Sequence, residues 1–264
     1  MIGSIAGDVI GSVYEGGNSI NSNFVLFDDD CRFTDDTVLS VAVADWIMHG
    51  GSLAAKFHDF YHRYPHAGYG GRFIHWAFHR HVTPYNSLGN GSAMRVGPVG
   101  FAFDTLKETL KKAEETAIVT HNHPEGIHGA QAVAAAIFLA RSGSPKDAIR
   151  EYLTANFGYQ LTDSYEDLHS KADFSVTCEA TVPRALIAFL TADSFEGTIR
   201  NAVSLGGDTD TVACMAGGIA EAFYKNIPEE ITDAVIDVLD DFLMETVIEF
   251  YERFMETPLI IKGI

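Results

Sequence analysis

Strand alternation is nearly absent from this chain, and apolar residues recur instead at helical spacing. After Asp104, a good N-cap, Leu106, Leu110, Ala113 and Ala117 fall on one stripe of an amphipathic helix. A long helix is expected to follow Pro228, whose missing N–H suits a first helical turn. It would turn Ile231, Val235, Val238, Leu239 and Phe242 inward and Asp237, Asp240, Asp241 and Glu245 outward. Similar segments run over 2–12, 37–49, 52–63, 92–103, 124–141, 145–156, 180–191 and 194–204. The fold class is therefore all-α. Val38–Met48 and Ala130–Ala140 are apolar nearly all round, which suits central helices wrapped by others better than a simple four-helix bundle. No linker or internal repeat divides the chain. With 264 residues, 47% of them hydrophobic, one domain over 1–264 is expected.

Acids outnumber bases 36 to 18, and the formal charge of -18 repels nucleic acid and anionic membranes as nonspecific partners. Cys31, Cys178 and Cys214 are odd in number and scattered, so neither a disulfide framework nor a zinc ribbon is indicated, and a reducing compartment is expected. Asp8 interrupts the first apolar segment, no basic stretch precedes it, and no run approaches the ~18 apolar residues of a membrane span. A cytoplasmic location is the expectation. Oligomeric state stays open, because Phe250, Tyr251 and Phe254 on the last helix fit a core or an interface equally well.

Two short segments stand out: Thr34-Asp35-Asp36-Thr37 and Asp208-Thr209-Asp210-Thr211, each directly ahead of a hydrophobic helix. One reading is a helix cap, since Thr and Asp favour N-termini and gain from the macrodipole. A cap needs one such residue, however, and adjacent carboxylates facing a low-dielectric interior repel each other by more than a cap returns. A divalent cation would relieve them. Carboxylate and hydroxyl oxygen with no placed Cys or His selects a hard ion, Mg²⁺ or Mn²⁺. Thr34, Asp35, Asp36, Asp208, Asp210 and Thr211 together offer six donors, which leaves room around two octahedral ions for water and substrate hydroxyls.

Two glycine-rich loops, His66–Gly71 and Ser87–Ser92, could bring backbone N–H groups close to a phosphate. His121-Asn122-His123-Pro124 reads as a polar helix-entry loop or as a weak transition-metal patch. No Cys partner or H-E-x-x-H spacing supports zinc. Arg95 and Arg72 read as surface salt-bridge formers, with Arg72 close enough to Gly70-Gly71 to reach a phosphate. Glu15 by itself reads as a solvated acid at a helix end.

Five stretches, taken in order, resemble the ADP-ribosylglycohydrolase family nearly end to end: Gly7-Asp8-Val9-Ile10-Gly11-Ser12-Val13-Tyr14-Glu15, then TDDT, then Gly89-Asn90-Gly91-Ser92-Ala93-Met94-Arg95, then Thr120-His121, then Leu205-Gly206-Gly207-Asp208-Thr209-Asp210-Thr211. The resemblance implies a compact orthogonal multi-helix bundle, a centre of two Mg²⁺ or Mn²⁺ ions, and hydrolysis of the bond between ADP-ribose and a modified protein side chain or small acceptor. It implies that Thr34, Asp35, Asp36, Asp208, Asp210 and Thr211 are ligands and that Asp35 or Asp36 orients the attacking water. Glu15 would be a mobile acid over the metals. Ser87, Gly89, Asn90 and Gly91, with Gly70 and Gly71, would hold the diphosphate, and His121 the distal ribose and phosphate region. Cys178-Glu179-Ala180 departs from the Cys-Gln-Gly of many bacterial relatives, which leaves the acceptor open. Two other functions use the same features: a Mg²⁺-dependent nucleotide-diphosphate phosphohydrolase, and a nonenzymatic ADP-ribose-binding or crystallin-like protein.

Overall fold

The structure is a computed structural model that describes residues 1–170, 174–256 and 259. Its helices are, in order, α1 (Ile2–Gly11), α2 (Asp35–His49), α3 (Leu53–Arg63), α4 (Gly71–Phe78), α5 (Gly91–Met94), α6 (Gly97–Ala102), α7 (Leu106–Ala117) and α8 (Pro124–Arg141). They continue with α9 (Lys146–Phe157), α10 (Tyr165–His169), α11 (Cys178–Thr191), α12 (Phe195–Ser204), α13 (Thr209–Tyr224), α14 (Glu229–Val238) and α15 (Asp241–Phe254). No strand occurs among the described residues. Two isolated bridges, Gly17 with Gly207 and Gly89 with Thr177, tie loops together. No described helix is long and apolar enough to cross a membrane.

The centre of the bundle is the pair α1 and α13, which pack on each other more extensively than any other two helices. Every residue of α1 is buried, as is α13 from Thr209 to Ala222. The alanine-rich middle of α8 and the first part of α2 pack around them, the helices that read as apolar on all sides. α7, α9, α12 and α15 form the outer layer, with one polar face each, while α11, buried without a break from Arg184 to Leu190, packs against α13. On the last helix, Phe250 and Tyr251 are buried in this core.

Several boundaries differ from the sequence reading for local reasons. The segment 92–103 is two helices, α5 and α6, because Pro98 has no N–H for the carbonyl of Met94 four residues back. That carbonyl accepts instead from Ser40 Oγ at 3.4 Å and Cys214 Sγ at 3.5 Å. Thr105, not Asp104, caps α7, with its hydroxyl accepting from Glu108 N at 3.2 Å. The long helix after Pro228 breaks at Leu239. Asp240 starts a new one by accepting from Leu243 N at 3.0 Å while Tyr64 donates to its carboxylate. Pro228 occupies the cap rather than the first turn. α4 and the short α10 lie outside the segments that carry a helical signature.

Candidate functional site

The site begins with how closely α1 can approach α13. Gly3, Gly7 and Gly11 form one face of α1, and a Cβ added at Gly7 would sit 2.0 Å from the carbonyl oxygen of Ala213. One added at Gly11 would lie 2.5 Å from the Cα of Asp210. Only bare backbone permits this contact. Thr209 Oγ1 donates to Gly11 O at 2.8 Å, so the end of α1 and the start of α13 are fixed together.

Asp8, in the middle of α1, is fully buried and takes up the N-terminus of α2. It accepts from Thr34 N at 2.9 Å, Thr34 Oγ1 at 2.7 Å, Thr37 N at 3.0 Å and the Thr37 hydroxyl. Thr34 caps α2, accepting from Asp36 N at 3.3 Å. Its single hydroxyl proton goes to Asp8 and one lone pair to Asp36 N, which leaves one lone pair for a cation.

Two sets of carboxylates then converge. Oxygens of Asp8, Asp36 and Asp210 lie within 4.8 Å of one another, and so do those of Glu15, Asp208 and Asp210. Asp210 belongs to both. Thr211 Oγ1 donates to Asp36 Oδ2 at 3.2 Å, joining the two acid–threonine segments directly. Asp36 Oδ1 is buried with no partner. Burial pushes the carboxyls of Asp36 and Asp210 well above the usual carboxylate range, with Asp210 adding to the effect on Asp36, and Asp208 to that on Asp210. Asp8 and Asp208 are raised by burial and partly held down by their hydrogen-bond donors. Asp35 is raised well up by burial and then by Asp8 and Asp208. Glu15 is raised by burial and Asp208 against the pull of Arg32. Acids that all resist ionisation, one with a bare buried oxygen, mark a place short of positive charge. The donors are carboxylate and hydroxyl oxygens, so the residues fit a hard divalent cation rather than a thiophilic one.

Not every expected ligand stands equally close. Asp35 is half-buried and belongs to neither compact set, and its Oδ1 faces Gly68. Glu15 lies exposed on the loop after α1. Gly16 N donates to Gly207 O at 2.8 Å and Gly207 N to Gly17 O at 3.0 Å, which brings Glu15 beside Asp208. Gly206 and Gly207 make that turn at φ of 69° and 82°, in the left-handed region where glycine is favoured.

The second glycine loop borders the same acids. Asn90 Nδ2 donates to Asp208 Oδ2 at 2.6 Å, so this side chain ties the loop to the carboxylates. Ser87 Oγ accepts from Gly89 N at 3.1 Å. The buried His121 faces the loop from behind: a Cβ on Gly91 would come 3.0 Å from His121 Nε2. Behind Gly89, the backbone of Val176 and Cys178 supports the loop, and Cys178 Sγ donates to Gly89 O at 3.1 Å. Gly70 and Gly71 are exposed, with open space on their Cβ side. They connect to the rest through Arg72, whose guanidinium lies over the Tyr85 ring at 5.0 Å. That ring in turn lies 5.9 Å from His121.

Two residues escaped the sequence reading. Asp8 lies within the first motif with no neighbouring acid or threonine to mark it as part of the site, although an acid inside a segment as apolar as Ile2–Gly11 has no route to water and must have partners. Arg95 is no surface ion-pair former: it is fully buried, with Nη2 donating to Thr116 O and Thr120 Oγ1. A cavity of about 440 Å³ lies elsewhere, lined by Ile2, Glu221, Lys225, Tyr251 and Phe254 at the other end of α1 and α13. Its buried acid, Glu221, is already engaged, accepting from the N-terminal amine of Met1, Gly3 N and the Tyr251 hydroxyl.

Comparison with known proteins places this geometry in context. The profile of the ADP-ribosylglycohydrolase family matches residues 1–258. The zebrafish (Danio rerio) protein named ADP-ribosylhydrolase ARH3 is 27% identical, with 85% of this chain and 81% of that protein aligned. The human protein of the same name is 26% identical over 87% and 86% of the two chains. A solved ADP-ribosylglycohydrolase-related protein complex superposes with a TM-score of 0.73 over 96% of this chain and 95% of its own, at 23% identity, a likeness of fold. The chain, with its acid–threonine helix starts joined through Asp210, belongs to the ADP-ribosylglycohydrolase family.

Proposed function

We propose that this protein is a metal-dependent hydrolase that cleaves the glycosidic bond between ADP-ribose and an acceptor. The observation that carries the reading is the sharing of Asp210 by two carboxylate sets drawn from α1, α2, the Glu15 loop and α13. Asp36 and Asp208, with Asp210 common to both sides and the hydroxyls of Thr34 and Thr211 beside them, would hold two Mg²⁺ or Mn²⁺ ions. When bound, such ions supply Lewis acidity and the positive charge that these carboxyls lack.

The remaining work falls to the chain. Asp35 or Asp36 orients the attacking water towards the ribose C1″ carbon and accepts one of its protons, the other staying on the new hydroxyl. Cleavage there builds oxocarbenium character, and the acids around the sugar favour that positive charge. Glu15 stands at the exposed edge beside Asp208, a place from which it can protonate the departing oxygen or nitrogen. Backbone of the loop Ser87–Gly91, His121 and the turn at Gly70-Gly71 hold the diphosphate. The Gly11-Ser12-Val13-Tyr14-Glu15 stretch favours an O-linked acceptor. The Cys178-Glu179-Ala180 departure lies directly behind the loop at Gly89 and bears on the same choice.

A panel of ADP-ribosylated substrates differing only in acceptor, assayed with Mg²⁺ and with EDTA, tests this. Intact ADP-ribose released only with metal supports the proposal. AMP plus ribose phosphate would establish the phosphohydrolase instead, and tight ADP-ribose binding without turnover the nonenzymatic role.

A further inference from the structure

Arg95 is a fully buried cation with no carboxylate among its hydrogen-bond partners. Its guanidinium lies 4.3 Å from the centre of the Phe57 ring, a cation–π contact that offsets part of its desolvation. Nη2 donates to Thr116 O at 3.0 Å and to Thr120 Oγ1 at 2.8 Å, while Nε and Nη1 have no partner. Burying a guanidinium so sparsely satisfied is costly. The one side chain that it hydrogen-bonds is Thr120, whose hydroxyl stands 2.7 Å from His121 Nδ1.

The chemistry of that short chain restricts the imidazole. Arginine has only donors, so Thr120 Oγ1 must accept from it, which spends a lone pair and points the hydroxyl proton away from the positive charge. Two acceptors are within its reach, Nδ1 of His121 at 2.7 Å and the hydroxyl of Tyr85. If the proton goes to the imidazole, Nδ1 accepts, and in a neutral ring the other nitrogen, Nε2, carries the hydrogen. Nε2 is the atom that faces Gly89 and Gly91. Burial, followed by Arg95 and Arg72, keeps this imidazole well below its ordinary proton affinity, so the ring is neutral at physiological pH.

We infer that Arg95 and Thr120 are positioning residues that lock His121 in the tautomer with N–H on Nε2, presenting a donor to an anionic oxygen held by the Gly89–Gly91 loop. The inference rests on the reading of that loop as the diphosphate holder. The competing arrangement is also specific: His121 donates from Nδ1 to Thr120, the hydroxyl turns towards the neighbouring Tyr85, and Nε2 offers the loop a lone pair, which would repel a phosphate.

Nitrogen NMR of the imidazole at pH 7.5, in the ligand-free protein, separates the two. The expected result is a pyrrole-like Nε2 and a pyridine-like Nδ1 for His121. Thr120→Val, which keeps the branched shape and removes the hydroxyl, should let the tautomers mix and weaken ADP-ribose binding about tenfold. Thr120→Ser should restore both. Arg95→Lys, which shortens the reach to Thr120, should act like Thr120→Val on the spectrum while near-UV circular dichroism stays native. A wild-type Nδ1–H tautomer overturns the inference, as does a Thr120→Val variant whose spectrum and affinity match wild type. If the Nε2–H tautomer is found but wild type does not bind ADP-ribose, the lock stands and the diphosphate reading of the loop fails.

Discussion

A carboxylate cut off from water needs a partner for each oxygen, and Asp8 and Asp36 meet that need in opposite ways. Asp8 is satisfied by four donors from the start of α2, whereas Asp36 keeps one oxygen bare. Their amide variants should therefore diverge. With EDTA present, Asp8→Asn loses acceptor capacity under two backbone N–H groups and should destabilise the fold by ~1–3 kcal/mol. Asp36→Asn removes repulsion and should unfold at the same temperature as wild type or higher, yet bind no Mg²⁺ by calorimetry. Equal losses of thermal stability in the two would contradict the division of labour. His121 gives a pH prediction of its own. Its proton affinity is lowered in the fold, so below its ordinary pKa of 6.5 the unfolded chain takes up a proton that the folded chain refuses. Stability from this residue is complete above that pH and is lost as pH falls through it. Denaturant titrations at pH 7.5 and 5.5 should show a smaller loss on acidification in His121→Gln than in wild type.

At the scale of the helix, glycine spacing decides whether the site exists. Gly7→Ala would drive a methyl group into the Ala213 carbonyl, and overpacking of this kind costs about 3 kcal/mol or more where backbone meets backbone. The variant should show a lower urea midpoint and reduced Mg²⁺ affinity together, because Asp8 and Asp210 are carried on the two helices being forced apart. Gly71→Ala, which opens onto free space, should leave the midpoint nearly unchanged. These helices also show what could be read from the chain alone. The all-apolar segments identified α2 and α8 as inner helices, although the centre itself is α1 and α13, and TDDT and DTDT identified the two helix starts that meet, since both signals are local in sequence. The break at Pro98 was readable in principle from its missing N–H. The break at Leu239 was not, because it depends on Tyr64 reaching Asp240 from α3. Arg95 was misjudged for the same reason: nothing near it in sequence announces Phe57, Thr116 or Thr120 as its surroundings. Asp8 lay between the two cases, visible as an acid in an apolar helix but with partners known only once α2 was docked.

For the whole molecule, Asp210 is the point on which every element of the site bears. Asp210→Asn should weaken both ion positions at once, lowering turnover by about a thousand-fold or more as several kcal/mol of electrostatic stabilisation disappear, while circular dichroism stays helical. Asp35→Asn, outside both sets, should cost less, and single-turnover assays at saturating Mg²⁺ distinguish the two. The glycine-faced crossing of α1 on α13 has a further consequence for how the protein is made. The contact between Thr209 and Gly11 closes a separation of 198 positions, so at usual ribosomal speeds α1 waits about 10 to 40 s for its partner to be synthesised. During that interval the glycine face of α1, which meets α13, has nothing to bury against. Nascent chains of this protein should therefore depend on chaperone holdases, and no truncated translation product that stops short of α13 could capture a metal or turn over a substrate.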